Sequence, residues 1–138
     1  NKVTSIVASA SLESTIDLLV KLRERTGDII SAFEYIDGAC IDLLSNEADV
    51  KNIFNKKYEH YALIEISSSR GSENLKLLLE DSIASSVQDD SVIDAIIASN
   101  ETQAAQFWKL RENLPSLLKS IGEPITFDIS LILQSPLL

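Results

Sequence analysis

Residues 58–86 read YEHYALIEISSSRGSENLKLLLEDSIASS, and two periodicities meet inside them. Up to Ser69 the period is two. Tyr61, Leu63, Glu65 and Ser67 fall on one face, with Ala62, Ile64 and Ile66 on the other, which predicts a strand. From Ser72 the period lengthens to that of a helix. Leu75, Leu78, Leu79 and Ile83 share one side, and Ser72 stands where an N-cap belongs.

The same alternation extends in both directions. KVTSIVASA (2–10) predicts a first strand, and Ser11 N-caps a helix whose stripe is Leu12, Ile16, Leu19, Val20 and Leu22. Gly27 is its C-cap signal. IISAFEYID (29–37) predicts a second strand, closed by the turn dipeptide Asp37-Gly38. ACIDLLS (39–45) reads as a short helix and DVKNIFNK (49–56) as another turn or two. Downstream, SVIDAIIAS (91–99) predicts a fourth strand and Asn100 or Thr102 starts a helix. Gly122-Glu123-Pro124 breaks that helix, and ITFDISLIL (125–133) predicts a last strand. Two βαβ units around a helical insert predict an α+β chain. The expected architecture is a ferredoxin-like split βαβ sheet with helices packed on one face. No Gly-rich phosphate turn follows a strand, so a doubly wound dinucleotide fold ranks second.

The bulk numbers narrow the partners. The 138 residues suit a single domain, 1–138. A net charge of −9 argues against nucleic acid and anionic membranes, which need clustered Lys and Arg. No apolar run approaches the roughly 20 residues of a membrane helix. Cys40 is the only cysteine, so no intrachain disulfide forms, and a reducing, cytoplasmic setting is expected. His60 is the only histidine, which excludes a Cys/His zinc cluster. The chain has no methionine, opens at Asn1 and stops at SPLL after a strand-like run. It is expected to be an internal piece of a longer protein.

Several residues carry candidate chemistry. RGSEN (70–74) offers either an anion site at a helix N-terminus or a plain tight turn. Glu34, Glu65, Asp94 and Asp128 interrupt strand-like runs, and a glutamate is rarely buried without a partner. His60 sits among Glu59, Tyr58 and Tyr61 with no second ligand pattern. The clearest misfit lies in FWKLRENLP (107–115). Ala104, Phe107, Trp108, Leu114, Leu118 and Ile121 share one helical arc, and Arg111 projects near its middle. A guanidinium cannot shed its charge, so it needs an anion or an exit to water. Glu34, Glu65 and Asp128 are internal choices; a substrate carboxylate is the external one. Pro115 predicts a kink or restart at Leu114.

Four segments, SAFEYID (31–37), ALIEISSSRGSENLKLLLE (62–80), SVIDAIIASNETQAAQFWKLRENL (91–114) and ITFDISL (125–131), resemble one family. It is the C-terminal domain of FAD-linked oxidases, the D-lactate, glycolate and D-2-hydroxyglutarate dehydrogenase group. The resemblance implies oxidation of a 2-hydroxy acid to the 2-keto acid, with FAD held by a separate FAD-binding domain of the same chain. It implies that Arg111 binds the substrate carboxylate, that this chain binds no flavin itself, and that alone it is inactive. The family's histidine-rich metal segment is not in this sequence, so a divalent metal would come from residues downstream. Relatives carry a hydroxyl residue where Pro115 stands and a lysine where Thr126 stands. A homo-oligomer is compatible with the pattern. The alternative is a stand-alone ferredoxin-like small-molecule-binding or regulatory domain.

Overall fold

The computed structural model describes residues 1–47, 53–69 and 71–121. Four strands, β1 (Lys2–Ser9), β2 (Ile30–Asp37), β3 (His60–Ser67) and β4 (Val92–Ile97), form one sheet. Four helices connect and follow them: α1 (Leu12–Thr26), α2 (Gly38–Glu47), α3 (Ser72–Gln88) and α4 (Glu101–Ile121). The sheet order is β2-β3-β1-β4 with every neighbouring pair antiparallel. Hence β1 and β2 run parallel with β3 between them, and β3 and β4 run parallel with β1 between them. That is the expected split βαβ arrangement in an α+β chain. The predicted last strand and Asp128 lie outside the described residues.

Both faces of the sheet are apolar, and this corrects one detail of the expectation. On one side Val3, Val7, Phe33, Tyr35, Ala62, Ile64 and Ile66 pack with Leu18 and Leu22 of α1 and Leu75 and Leu79 of α3. On the other side Ile6, Ala8, Ile36, Tyr61 and Leu63 pack with Cys40, Ile41 and Leu44 of α2 and Phe107, Leu110 and Leu114 of α4. Helices therefore cover both faces, not one. A strand whose alternate residues are apolar on both sides has two faces to bury. Among the described residues no helix is long and apolar enough to cross a membrane.

The caps explain where the helices begin. Ser11 Oγ accepts from the Ser14 N–H at 3.0 Å, as a Ser N-cap should. Gly27 ends α1 at φ 68°, a conformation that favours glycine, and its N–H bonds to the Arg23 carbonyl. The turn at Asp37-Gly38 is a helix cap. Asp37 Oδ1 accepts from the Ala39 N–H at 2.8 Å and so caps α2 directly off β2. Gly38 N–H donates to the Glu59 carbonyl at 2.8 Å, and any Cβ there would lie 2.1 Å from the Tyr58 carbonyl oxygen. At α3 the cap is Gly71 rather than Ser72.

Two packing expectations also shift. In α1 the buried set is Thr15, Leu18, Leu19 and Leu22, while Ile16 and Val20 are exposed. Thr15 tolerates burial because its hydroxyl donates to the Ser11 carbonyl at 2.9 Å. In α4 the helix runs on through Pro115 with no restart at Leu114. Leu114 is buried against the sheet while Pro115 is exposed, so packing outweighs the proline penalty.

Candidate functional site

Helix α4 lays two polar side chains toward the sheet, Trp108 and Arg111, one turn apart. Beneath them lie Glu34 of β2 and Glu65 of β3. Strand alternation puts Glu34 on the face of Ile36, and Glu65 on the face of Tyr61 and Leu63. In the register Glu34 faces Leu63 and Ala32 faces Glu65, so the two carboxylates are diagonal neighbours. Two donors spaced i, i+3 on a helix thus meet two acceptors spaced diagonally on a sheet.

Arg111 Nε donates to Glu34 Oε1 at 2.7 Å. The Glu34 side chain is 3% exposed and that of Arg111 18%, so one partner is sealed and the other reaches toward solvent. Glu34 Oε2 is buried with no hydrogen-bond partner. Such a pair loses much of its Coulomb attraction to desolvation. Of the internal partners weighed from sequence, Glu34 holds Arg111 through Nε, and Asp128 lies outside the described residues.

Glu65 is held differently. Trp108 Nε1 donates to its Oε2 at 3.0 Å and Thr4 Oγ1 to the same oxygen at 3.3 Å. Ser31 Oγ donates to Oε1 at 3.1 Å. The sequence named Glu65 as a candidate but missed these donors. A half-buried tryptophan must find an acceptor for its N–H, and that signal was available. Beside Trp108 an open cleft of about 860 Å³ is lined by Thr4, Glu65, Lys76, Asn100 and Ala104 among others. Asn100 Oδ1 accepts from the Gln103 N–H at 2.8 Å, and Gln103 Oε1 accepts from the Ser99 N–H at 2.7 Å. The N-terminus of α4 is therefore closed by its own caps.

The remaining candidates sit in structural bonds. Tyr35 OH lies 2.7 Å from His60 Nδ1, on the face opposite α4. Burial first, then the neighbouring Asp37 and Cys40, push the Tyr35 phenol up to about 12. Tyr35 therefore keeps its proton, and the phenol and the His60 ring share a hydrogen bond whose direction follows the ring tautomer. Tyr58 OH donates to Asp94 Oδ2 at 2.9 Å, reaching over the small Ala8 that pairs with both Tyr61 and Asp94. That bond raises the Tyr58 phenol above its ordinary range. In RGSEN, the main chain of Gly71 accepts from the Asn74 N–H at 3.1 Å. Arg70 lies outside the described residues. Among the described residues no group of three or more His, Cys, Asp or Glu is placed to hold a metal.

Comparison with known proteins finds a family match over nearly the whole chain. The family model described as "FAD linked oxidases, C-terminal domain" matches residues 1–135. The mitochondrial D-2-hydroxyglutarate dehydrogenase of Arabidopsis thaliana is 33% identical over 128 residues, 92% of this chain and 23% of the relative. The Danio rerio protein of the same name is 28% identical over 130 residues, 92% of this chain and 24% of the relative. A D-2-hydroxyglutarate–pyruvate transhydrogenase of Saccharomyces cerevisiae is 26% identical over 121 residues, 85% of this chain and 24% of the relative. The chain spans about a quarter of the length of the curated relatives it matches.

Proposed function

The chain belongs to the C-terminal domain family of FAD-linked oxidases, and from that premise we propose that it serves a flavin-dependent 2-hydroxy acid dehydrogenase. In this reading the enzyme oxidises a 2-hydroxy acid to the 2-keto acid. D-2-hydroxyglutarate is the first candidate substrate, after the relatives' names, with D-lactate and glycolate behind it. Arg111 grips the substrate carboxylate. The observation that carries this is its setting. A guanidinium on the sheet-facing side of α4 is fixed through Nε to a sealed carboxylate, while the side chain keeps partial contact with solvent. End-on recognition of a carboxylate uses the two terminal nitrogens of such a fork.

Two of the turns into helices do not fit the phosphates of FAD. Gly38, at the glycine-bearing turn into α2, spends its N–H on Glu59, and the turn into α4 is closed by Ser99, Asn100 and Gln103. Neither presents N–H groups to a pyrophosphate. In this reading the flavin is held by an FAD-binding domain of the same polypeptide, and the present domain supplies carboxylate recognition. The stand-alone binding-domain alternative has no observation that favours it over family membership. The single buried cysteine fits the cytoplasm and the mitochondrial interior alike; cell fractionation decides between them.

The test is kinetic, in the flavoenzyme that carries this domain. Arg111→Lys is expected to raise KM for the 2-hydroxy acid about tenfold or more, since a point charge replaces a planar fork. Unchanged KM and kcat in that variant would remove Arg111 from the substrate site.

A further inference from the structure

We propose that Glu34 is the positioning residue of this site, holding the Arg111 guanidinium in the plane from which it meets a substrate carboxylate. The proposal rests on the reading of Arg111 given above. Three observations support it. Glu34 is the one charged residue among those described that is fully buried. It contacts Arg111 through Nε, the atom whose bond fixes the rotation of the planar group. And its second oxygen is left without a partner in the interior.

The third observation separates positioning from simple stabilisation. A buried carboxylate with one orphan oxygen stabilises a fold poorly, and apolar residues of similar size often do as well. Glu34 is suited instead to fixing a direction. It stands on β2, hydrogen-bonded to β3, with Leu63 as its cross-strand neighbour. That floor is rigid. With Nε held against it, the rotation of the guanidinium plane is set. A misplacement of about 1 Å in such a group costs on the order of a hundredfold in rate.

The class of ligand follows. The site takes a planar monoanionic carboxylate presented end-on, and it discriminates against the matching carboxamide. The experiment measures, in the flavoenzyme that carries this domain, the ratio of kcat/KM for a 2-hydroxy acid to that for its 2-hydroxy amide. Wild type, Arg111→Lys, Glu34→Gln and Glu34→Asp are compared. The expected result is that Glu34→Gln lowers the ratio about tenfold or more, chiefly through KM of the acid, while the amide changes little. Glu34→Asp, which keeps the charge but retreats by one methylene, is expected to lower it less. Should Glu34→Gln fail to fold, the fall in ratio for Glu34→Asp carries the test. A ratio that falls in Arg111→Lys but holds in both Glu34 variants overturns the positioning role and leaves Arg111 in place. A ratio that holds in all three overturns the reading of Arg111 as well. Equal losses for acid and amide would make Glu34 merely structural and also overturn the proposal.

Discussion

Glu34 Oε1 accepts from Arg111 Nε at 2.7 Å across a separation of 77 positions in the chain, and Glu34 Oε2 beside it accepts from nothing. The bond ties the middle of α4 to an edge strand. It also makes the Glu34 charge dependent on Arg111, because the sealed carboxylate has no access to water where it stands.

The dependence has a measurable form. Arg111→Leu alone is expected to cost roughly 3–5 kcal/mol, since it strands the sealed Glu34 carboxylate, and Glu34→Leu alone is expected to cost less, since the Arg111 side chain reaches solvent. The double variant is expected to lie within about 1 kcal/mol of the parent, or above it, because an apolar pair replaces an incompletely satisfied ionic one. Urea unfolding of the four proteins closes the cycle. Additive single effects would show that the two side chains do not interact.

Gly38 provides a purely steric prediction. A Cβ there would lie 2.1 Å from the Tyr58 carbonyl oxygen and 2.9 Å from backbone atoms of Glu59. Both neighbours are main chain and cannot swing aside. Gly38→Ala is expected to cost about 3 kcal/mol, the upper part of the range for overpacking, read by denaturant midpoint. A loss below about 1 kcal/mol would mean that the junction of β2 with α2 yields easily.

Tyr35 sets an alkaline limit. Its phenol is pushed up from 10.0 to about 12 in the folded chain, by burial first. The folded state therefore holds the proton more tightly than the unfolded state. The resulting stability is complete below pH 10 and is lost as pH rises toward 12. Tyr35→Phe removes this dependence and gives up the bond to His60. Unfolding free energy measured from pH 8 to 12 is expected to fall more steeply above pH 10 in the wild type than in Tyr35→Phe. Equal slopes between wild type and variant throughout would contradict the assignment.

Much of the fold is legible in the sequence because alternation and helical spacing are strong in this chain. The faces of β3 follow directly from YALIEIS, and Ser11 and Gly27 bound α1 as their chemistry requires. The side of α1 that is buried was harder to see. Ile16 and Val20 are more apolar than Thr15, yet Thr15 is inside, because a local bond to Ser11 satisfies its hydroxyl. Apolarity ranks residues one at a time; burial is set by the arc they share with Leu18 and Leu22. The Asp37-Gly38 turn is legible as a turn, but not what holds it. The same dipeptide serves a hairpin or a helix cap, and the choice depends on Glu59, which lies far along the chain.

The site was legible as a question and not as an answer. Helical arithmetic places Arg111 inside an apolar arc, so a partner is required. Which glutamate fills that role depends on strand register. Register sets Glu34 and Glu65 one diagonal apart, beneath Arg111 and Trp108 respectively. A sequence without its pairings does not contain that offset.

Trp108 is the only tryptophan in the chain, and its indole nitrogen is bonded to Glu65 one turn before Arg111. All of the domain's indole emission therefore originates beside the arginine. The molecule carries its own optical probe at the place of interest, with no label to attach and no second indole in the domain to subtract.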